Sequence, residues 1–126
     1  MYDPPDLVEL VVAVREFLEQ RALPKLEGHT AFHARVAANA LAIVERQLRL
    51  GPEAEAAECS RLRALLGRDG SLAELNRELC AAIRAGRLGL DTPGLAEHLR
   101  ETTLAKLAVD QPRYPSYRRA TNAPGE

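Results

Sequence analysis

His33 is the residue whose type and position best suit it for chemistry. Histidine as a residue type can carry a proton or act as a ligand near neutral pH. At about 100° per residue His33 falls between Ala40 and Val44, inside the apolar stripe of segment 30–50. His29 lies one turn earlier on that face, and Gln47 lies further along it. Asn39 sits at the stripe's edge beside Phe32 and Ile43. In segment 91–109, Lys106 falls between Leu95 and Leu99, and Asp110 follows one turn later, at ion-pair spacing. Lys106 can hold an anionic group or lose its proton on burial. Each of these residues also has a plain structural use. His33 can be a hydrogen-bonded structural residue, and Lys106 can lay its stem over apolar surface and reach water.

Other chemistries find less support. His29 and His33 can chelate from one helix face, but zinc takes three or four ligands. Cys59 and Cys80 have no zinc or redox spacing, and His98 and Glu101 are the remaining ligand types considered. No metal and no cofactor are expected. No Gly-x-Ser-x-Gly elbow surrounds Ser60, Ser71 or Ser116. The glycines are scattered at segment ends and form no phosphate loop. The pairs Glu53/Glu55 and Glu55/Glu58 read as solvated faces.

Five segments with helical periodicity must position these residues. The first runs from about Pro4 to Arg21, with Asp3 as cap, Pro4 at the first position and Asp6 in the first turn. Its stripe is Leu7, Leu10, Val11, Val14, Phe17 and Leu18, and Leu23-Pro24 ends it. The second runs from about Thr30 to Leu50, with Phe32, Val36, Ala40, Ile43, Val44 and Leu50 as its inner face. Gly51 is its expected stop, and Pro52 opens a third segment to about Leu66 with Cys59, Leu62, Leu65 and Leu66 inside. Ser71 and Glu74 match a capping box for the fourth, whose stripe is Leu72, Leu75, Leu79, Ala82 and Ile83 and whose stop is Gly86. Asp91-Thr92-Pro93 opens the fifth, which reaches about Val109 before Pro112. The expected fold is all-α, a mostly antiparallel bundle of about five helices over 1–111, followed by an irregular tail over 112–126. The polar end of that tail is expected to be mobile.

The 126 residues allow one compact domain, and the 46% apolar and 28% charged fractions exclude a disordered chain. No run of about 18 apolar residues suggests a membrane span. The acidic start shows no signal-peptide pattern, so a cytoplasmic location and reduced thiols are expected. Arginine supplies all but two of the 17 basic residues, the compositional bias of a GC-rich gene, so single arginines carry little weight. With a formal charge of −1 the chain lacks the surplus that nonspecific nucleic-acid binding needs.

Three runs carry a family resemblance: 31–41 (AFHARVAANAL), 75–80 (LNRELC), and 104–110 (LAKLAVD) followed by Pro112-Arg113-Tyr114. Over roughly Pro5 to Tyr117, the chain resembles a bacterial family of small helical domains of unknown function. Its members accompany proteins similar to aminoglycoside phosphotransferases and acyl-CoA dehydrogenases. The resemblance implies an accessory or partner role around such metabolism and carries over no catalytic residue. It adds Arg35 to His33 and Asn39, and it groups Lys106 with Asp110.

Two functional readings follow. In the first the chain is a non-catalytic accessory or interaction domain, with a phosphotransferase-like or acyl-CoA-dehydrogenase-like partner or a second copy of itself. Leu104 and Leu107, which lie away from the Leu95–Leu99 side, and Tyr114 and Tyr117 of the tail are its expected interface. In the second, His33, Arg35, Asn39, Lys106 and Asp110 form a polar site between segments 30–50 and 91–109. That site would serve a small-molecule binding protein or a weak enzyme.

Overall fold

The computed structural model describes residues 3–121. The polar end of the tail, 122–126, lies outside the described residues. Five α-helices follow one another: α1 (Leu7–Phe17), α2 (Gly28–Leu66), α3 (Leu72–Arg84), α4 (Leu95–Asp110) and α5 (Pro115–Ala120). The fold is all-α, and no strand occurs among the described residues. The chain divides into two compact units, 1–51 and 52–126.

Several expected boundaries change. Helix α1 starts at Leu7, because Asp6 rather than Asp3 caps it. The Asp6 carboxylate accepts the Glu9 N–H at 2.8 Å, and the Glu9 carboxylate accepts the Asp6 N–H at 2.7 Å. That reciprocal cap satisfies two amides with no helical partner. The expected break at Gly51-Pro52 is absent, and α2 runs through it with Pro52 in its interior. Proline there removes one amide and one hydrogen bond of the ladder, and 38 other residues hold the helix around it.

In the first unit, α1 leads into a π turn (Leu18–Ala22), where the Leu23 N–H donates to the Leu18 carbonyl, and then a 3-10 turn (Leu23–Lys25). Pro24 sits where that tight turn needs no amide, so the chain stays helical past Arg21 until Leu26 is extended. The packed faces are two stripes at alternating spacings of three and four. Val8, Val11, Arg15 and Leu18 are half-buried on α1 and its π extension. Ala31, Ala34, Ala38, Leu41, Glu45 and Leu48 are buried or half-buried on α2. Such spacing keeps one seam of a helix facing its neighbour. Arg15 and Glu45 belong to these stripes and pair at 3.1 Å, which ties the two helices together.

This overturns the expected inner face of the second segment. Phe32, Val36, Ile43, Val44 and Leu50 are exposed, and alanines are packed in their place. Small side chains allow close helix approach, and here they set the seam.

The second unit has a leucine core. Leu62 of α2, Leu75 and Leu79 of α3, and Leu95 of α4 are buried together, with Cys59, Leu65, Leu66, Leu72 and Leu88 against them. Helix α3 follows expectation: Ser71 and Glu74 form the capping box, and Gly86 ends it at φ 73°, a conformation glycine adopts readily. The Arg87 N–H then donates to the Ala82 carbonyl at 2.9 Å, closing the helix end. Helix α4 starts at Leu95 rather than near Asp91, behind Gly94 at φ 86°. Its inner stripe is Leu95, His98, Thr102, Ala105 and Val109, so Leu99 and Lys106, expected on the Leu95 side, face outward. The tail is not wholly irregular: α5 forms within it and packs against α4.

Candidate functional site

The first unit carries its side-chain chemistry on the outside. On α1, Leu7, Leu10, Val14 and Phe17 form a second stripe, again at spacings of three and four, and all four are exposed. On α2, Phe32, Val36, Ile43 and Leu50 form a similar outer stripe, with Val44 to one side. Phe17 and Phe32, the chain's two phenylalanines, stand 59% and 57% exposed. Asn39 is exposed and lies within about 40° of Phe32, Ile43 and Leu50 around the helix. Arg35 is exposed one turn before Asn39. His33 is exposed too, its ring meeting that of Phe32 edge-on with centroids 5.4 Å apart. His33 points about 160° away from Arg35, so these two do not share a face.

Lys106 and Asp110 belong to the second unit. Both are exposed on α4, one turn apart, and among the described residues no ion pair joins them. Of the expected interface residues, Leu104, Leu107 and Tyr117 are half-buried, and Tyr114 is exposed at the start of α5.

The second unit's polar centre is one that sequence reasoning missed. His98 is 1% exposed within the inner stripe of α4. The Arg61 Nε donates to its Nδ1 at 3.3 Å, and the Arg61 Nη2 donates to the Thr102 Oγ1 at 3.3 Å. An acceptor Nδ1 places the proton of a neutral ring on Nε2. Burial pushes the His98 pKa below its ordinary value, the Arg61 charge adds to that, and Glu58 opposes it. Glu58 in turn accepts from the Asn76 amide at 2.9 Å. The C-terminal third of α2 is thus bonded to α3 through Glu58 and to α4 through Arg61.

With its Nδ1 accepting from Arg61, His98 is held on the packed side of α4. Beside it Arg61, Leu65, Thr92, Pro93, Gly94 and Glu97 line an open groove of about 290 Å³. The Thr92 hydroxyl already accepts the Gly89 N–H. Among the described residues, no three His, Cys, Asp or Glu side chains gather as a metal set. The signal that points to His98 is its spacing. It falls three residues after Leu95 and four before Thr102, on the seam that Ala105 and Val109 continue.

Residues 24–114 match a family described as a domain of unknown function, DUF6285. That is well over half of the chain. The chain belongs to this family. The DUF6285 match takes in α2, α3 and α4 and begins after α1, so the outer stripe of α1 lies outside it. No curated protein and no solved structure matches the chain. Among the described residues no helix is long and apolar enough to cross a membrane.

Proposed function

We propose that this DUF6285 chain is a non-catalytic helical accessory domain that works by docking, with the first unit as its main surface. The observation that carries this reading is the distribution of large apolar side chains in that unit. Nine of them are exposed on α1 and α2, whereas only Ala31, Ala38 and Gly51 are buried among residues 3–51. Exposed apolar surface beyond the few hundred Å² of an ordinary monomer marks an interaction site. The family resemblance supports an accessory role in the bacterial cytoplasm, beside phosphotransferase-like or acyl-CoA-dehydrogenase-like proteins. Exposed Tyr114 and half-buried Leu104, Leu107 and Tyr117 are the second unit's contribution to such contacts.

The rival reading, a small-molecule site of His33, Arg35, Asn39, Lys106 and Asp110, draws no support from burial, since all five are exposed. Calorimetric titration of the chain against a purified phosphotransferase-like or acyl-CoA-dehydrogenase-like protein separates the two. Docking predicts that the double variant Phe32→Ser/Ile43→Ser binds at least tenfold more weakly while His33→Ala and Lys106→Ala bind unchanged. Loss of binding in the polar variants alone would overturn docking through the first unit.

A further inference from the structure

We infer that the groove beside His98 binds a small zwitterion of the α-amino acid class, with its carboxylate on Arg61 and its ammonium on Glu97. The groove belongs wholly to the second unit, so this site stands independently of docking through the first.

The fold fixes the Arg61 charge in place and leaves it unmatched. A guanidinium carries five N–H groups in a rigid plane. Nε and Nη2 give one each to the His98 Nδ1 and the Thr102 Oγ1. Both acceptors are uncharged, because an imidazole that accepts at Nδ1 is neutral. Arg63, two residues on, pairs with Asp69 at 2.6 Å. Among the described residues Arg61 takes part in no ion pair. Glu58, one turn earlier, is held by the Asn76 amide of α3. Arg61 is half-buried, and a cation partly withdrawn from water gains from an anion brought to it. Both N–H groups of Nη1 and the second of Nη2 remain, the end-on fork that suits a carboxylate.

The other lining residues determine what else such an anion must carry. Ala64, Leu65 and Pro93 give the groove apolar walls. Leu65 comes close to the loop, since a Cβ on Gly94 would stand 3.5 Å from its Cδ2. The Thr92 hydroxyl takes the Gly89 N–H and keeps its own proton to donate. Glu97, exposed in the first turn of α4, is the acid among the lining residues. It too has no ion pair among the described residues. A simple anion would meet repulsion from Glu97, and a simple amine repulsion from Arg61. A molecule with both charges and a short aliphatic body meets each surface with its complement. The volume of about 290 Å³ lies at the small end of ligand clefts, the scale of an amino acid.

Titration of the full chain, followed by the backbone amide resonances of Gly94 and Glu97, tests this. The probes are L-leucine, 4-methylpentanoate, which lacks the ammonium, and 3-methylbutylamine, which lacks the carboxylate. Leucine should bind at least tenfold more tightly than either, since each truncated probe leaves one charged side chain without its complement. Glu97→Gln, at an exposed position, should weaken leucine at least tenfold and leave 4-methylpentanoate no weaker. Ala64→Phe, also at an exposed position, fills the groove and should abolish binding of both. Arg61→Gln should weaken leucine and 4-methylpentanoate alike.

Equal affinity for leucine and 4-methylpentanoate would overturn the zwitterion. Leucine binding unchanged in Ala64→Phe would overturn the groove, and unchanged in Arg61→Gln would overturn the seat of the carboxylate. Should Arg61→Gln not fold, the probe series, Glu97→Gln and Ala64→Phe still decide. Glycine, L-alanine and L-serine cover smaller side chains, and no shift with any of the four amino acids at about 10 mM would overturn the site altogether. The docking variant Phe32→Ser/Ile43→Ser should bind leucine as the wild type does, so failure of either reading is distinguishable from failure of the other.

Discussion

Between residues 52 and 121 the chain buries four leucines, a valine, an alanine and a histidine; between residues 3 and 51 it buries two alanines and a glycine. Both regions are helical, and the first is the richer in large aliphatics, with 15 Leu, Ile and Val among residues 3–51 against 14 among residues 52–121, so composition alone would give the first the larger core. They differ in where the large side chains go. A leucine fully removed from water contributes roughly 1.5–3 kcal/mol before entropy is subtracted. The second unit collects that several times over at Leu62, Leu75, Leu79 and Leu95. The first unit leaves both phenylalanines and 7 of its 15 large aliphatics exposed, and half-buried contacts and the Arg15–Glu45 ion pair hold its two helices. A unit of that size and so little burial ordinarily relies on a partner. The comparison teaches that apolar content says how much surface a helix has to spend, and seam spacing says where it is spent.

The largest effect that can break this comparison is a cavity. Leu75→Ala should cost about 2–5 kcal/mol, as deletions at fully buried leucines do, whereas Phe32→Ala should cost under about 0.5 kcal/mol in the monomer, as exposed substitutions do. Urea unfolding below the association range measures both, and equal losses would erase the distinction between the units.

Next comes His98. Its folded pKa lies below its unfolded value of 6.5, so in acid the unfolded chain binds the proton more readily. Stability from this group is complete above about pH 6.5 and declines as pH falls from there toward the folded pKa. Denaturation midpoints at pH 5 and pH 8 should show the wild type less stable at pH 5. His98→Gln keeps an acceptor for Arg61 and should remove that part of the slope.

The caps sharpen the comparison further, because the two units use the same device. Ser71→Ala should lower global stability by about 1 kcal/mol. Asp6→Ala loses a similar cap, yet it should register mainly as faster amide exchange in the first turns of α1, since opening there leaves the leucine core untouched. The smallest effect is expected at Arg15 and Glu45. A double-mutant cycle should give about 0.2–1 kcal/mol, the range of ion pairs that keep contact with water.

Legibility from sequence followed the same division. Helix α3 is legible in all but Ile83, which is exposed, because its cap, its leucine seam and its terminal glycine agree. The core residues of the second half of α2 were equally plain. Helices α2 and α4 misled where bulky residues and the true seam fall on different faces. In α2 the wheel favoured Phe32, Val36 and Ile43, while Ala31, Ala34, Ala38, Leu41, Glu45 and Leu48 keep the stricter spacing. In α4 Leu99 drew attention away from His98 and Thr102, polar residues on the packed side. Hydrophobicity ranks each residue by what it loses in water, whereas helix pairing depends on regular spacing and close approach. Alanine serves the second and scores low on the first. His33 and Lys106, the polar residues singled out at the start, fall within the expected inner stripes only because the wrong face is taken as inner.

Pro52 has a consequence for how the protein can come apart. Without an amide at position 52, the Leu48 carbonyl has no donor four residues ahead, and this rung is missing where the two compact units meet in sequence. Thermal fluctuations that fray a helix ordinarily start at its ends, but α2 carries a built-in interior end. The chain can therefore melt in two stages without a loop between them: residues 28–51 can lose their helix while 52–66, held by the leucine core, keep theirs. A protease added under mildly destabilising conditions would then leave a fragment beginning near Pro52 as its durable product.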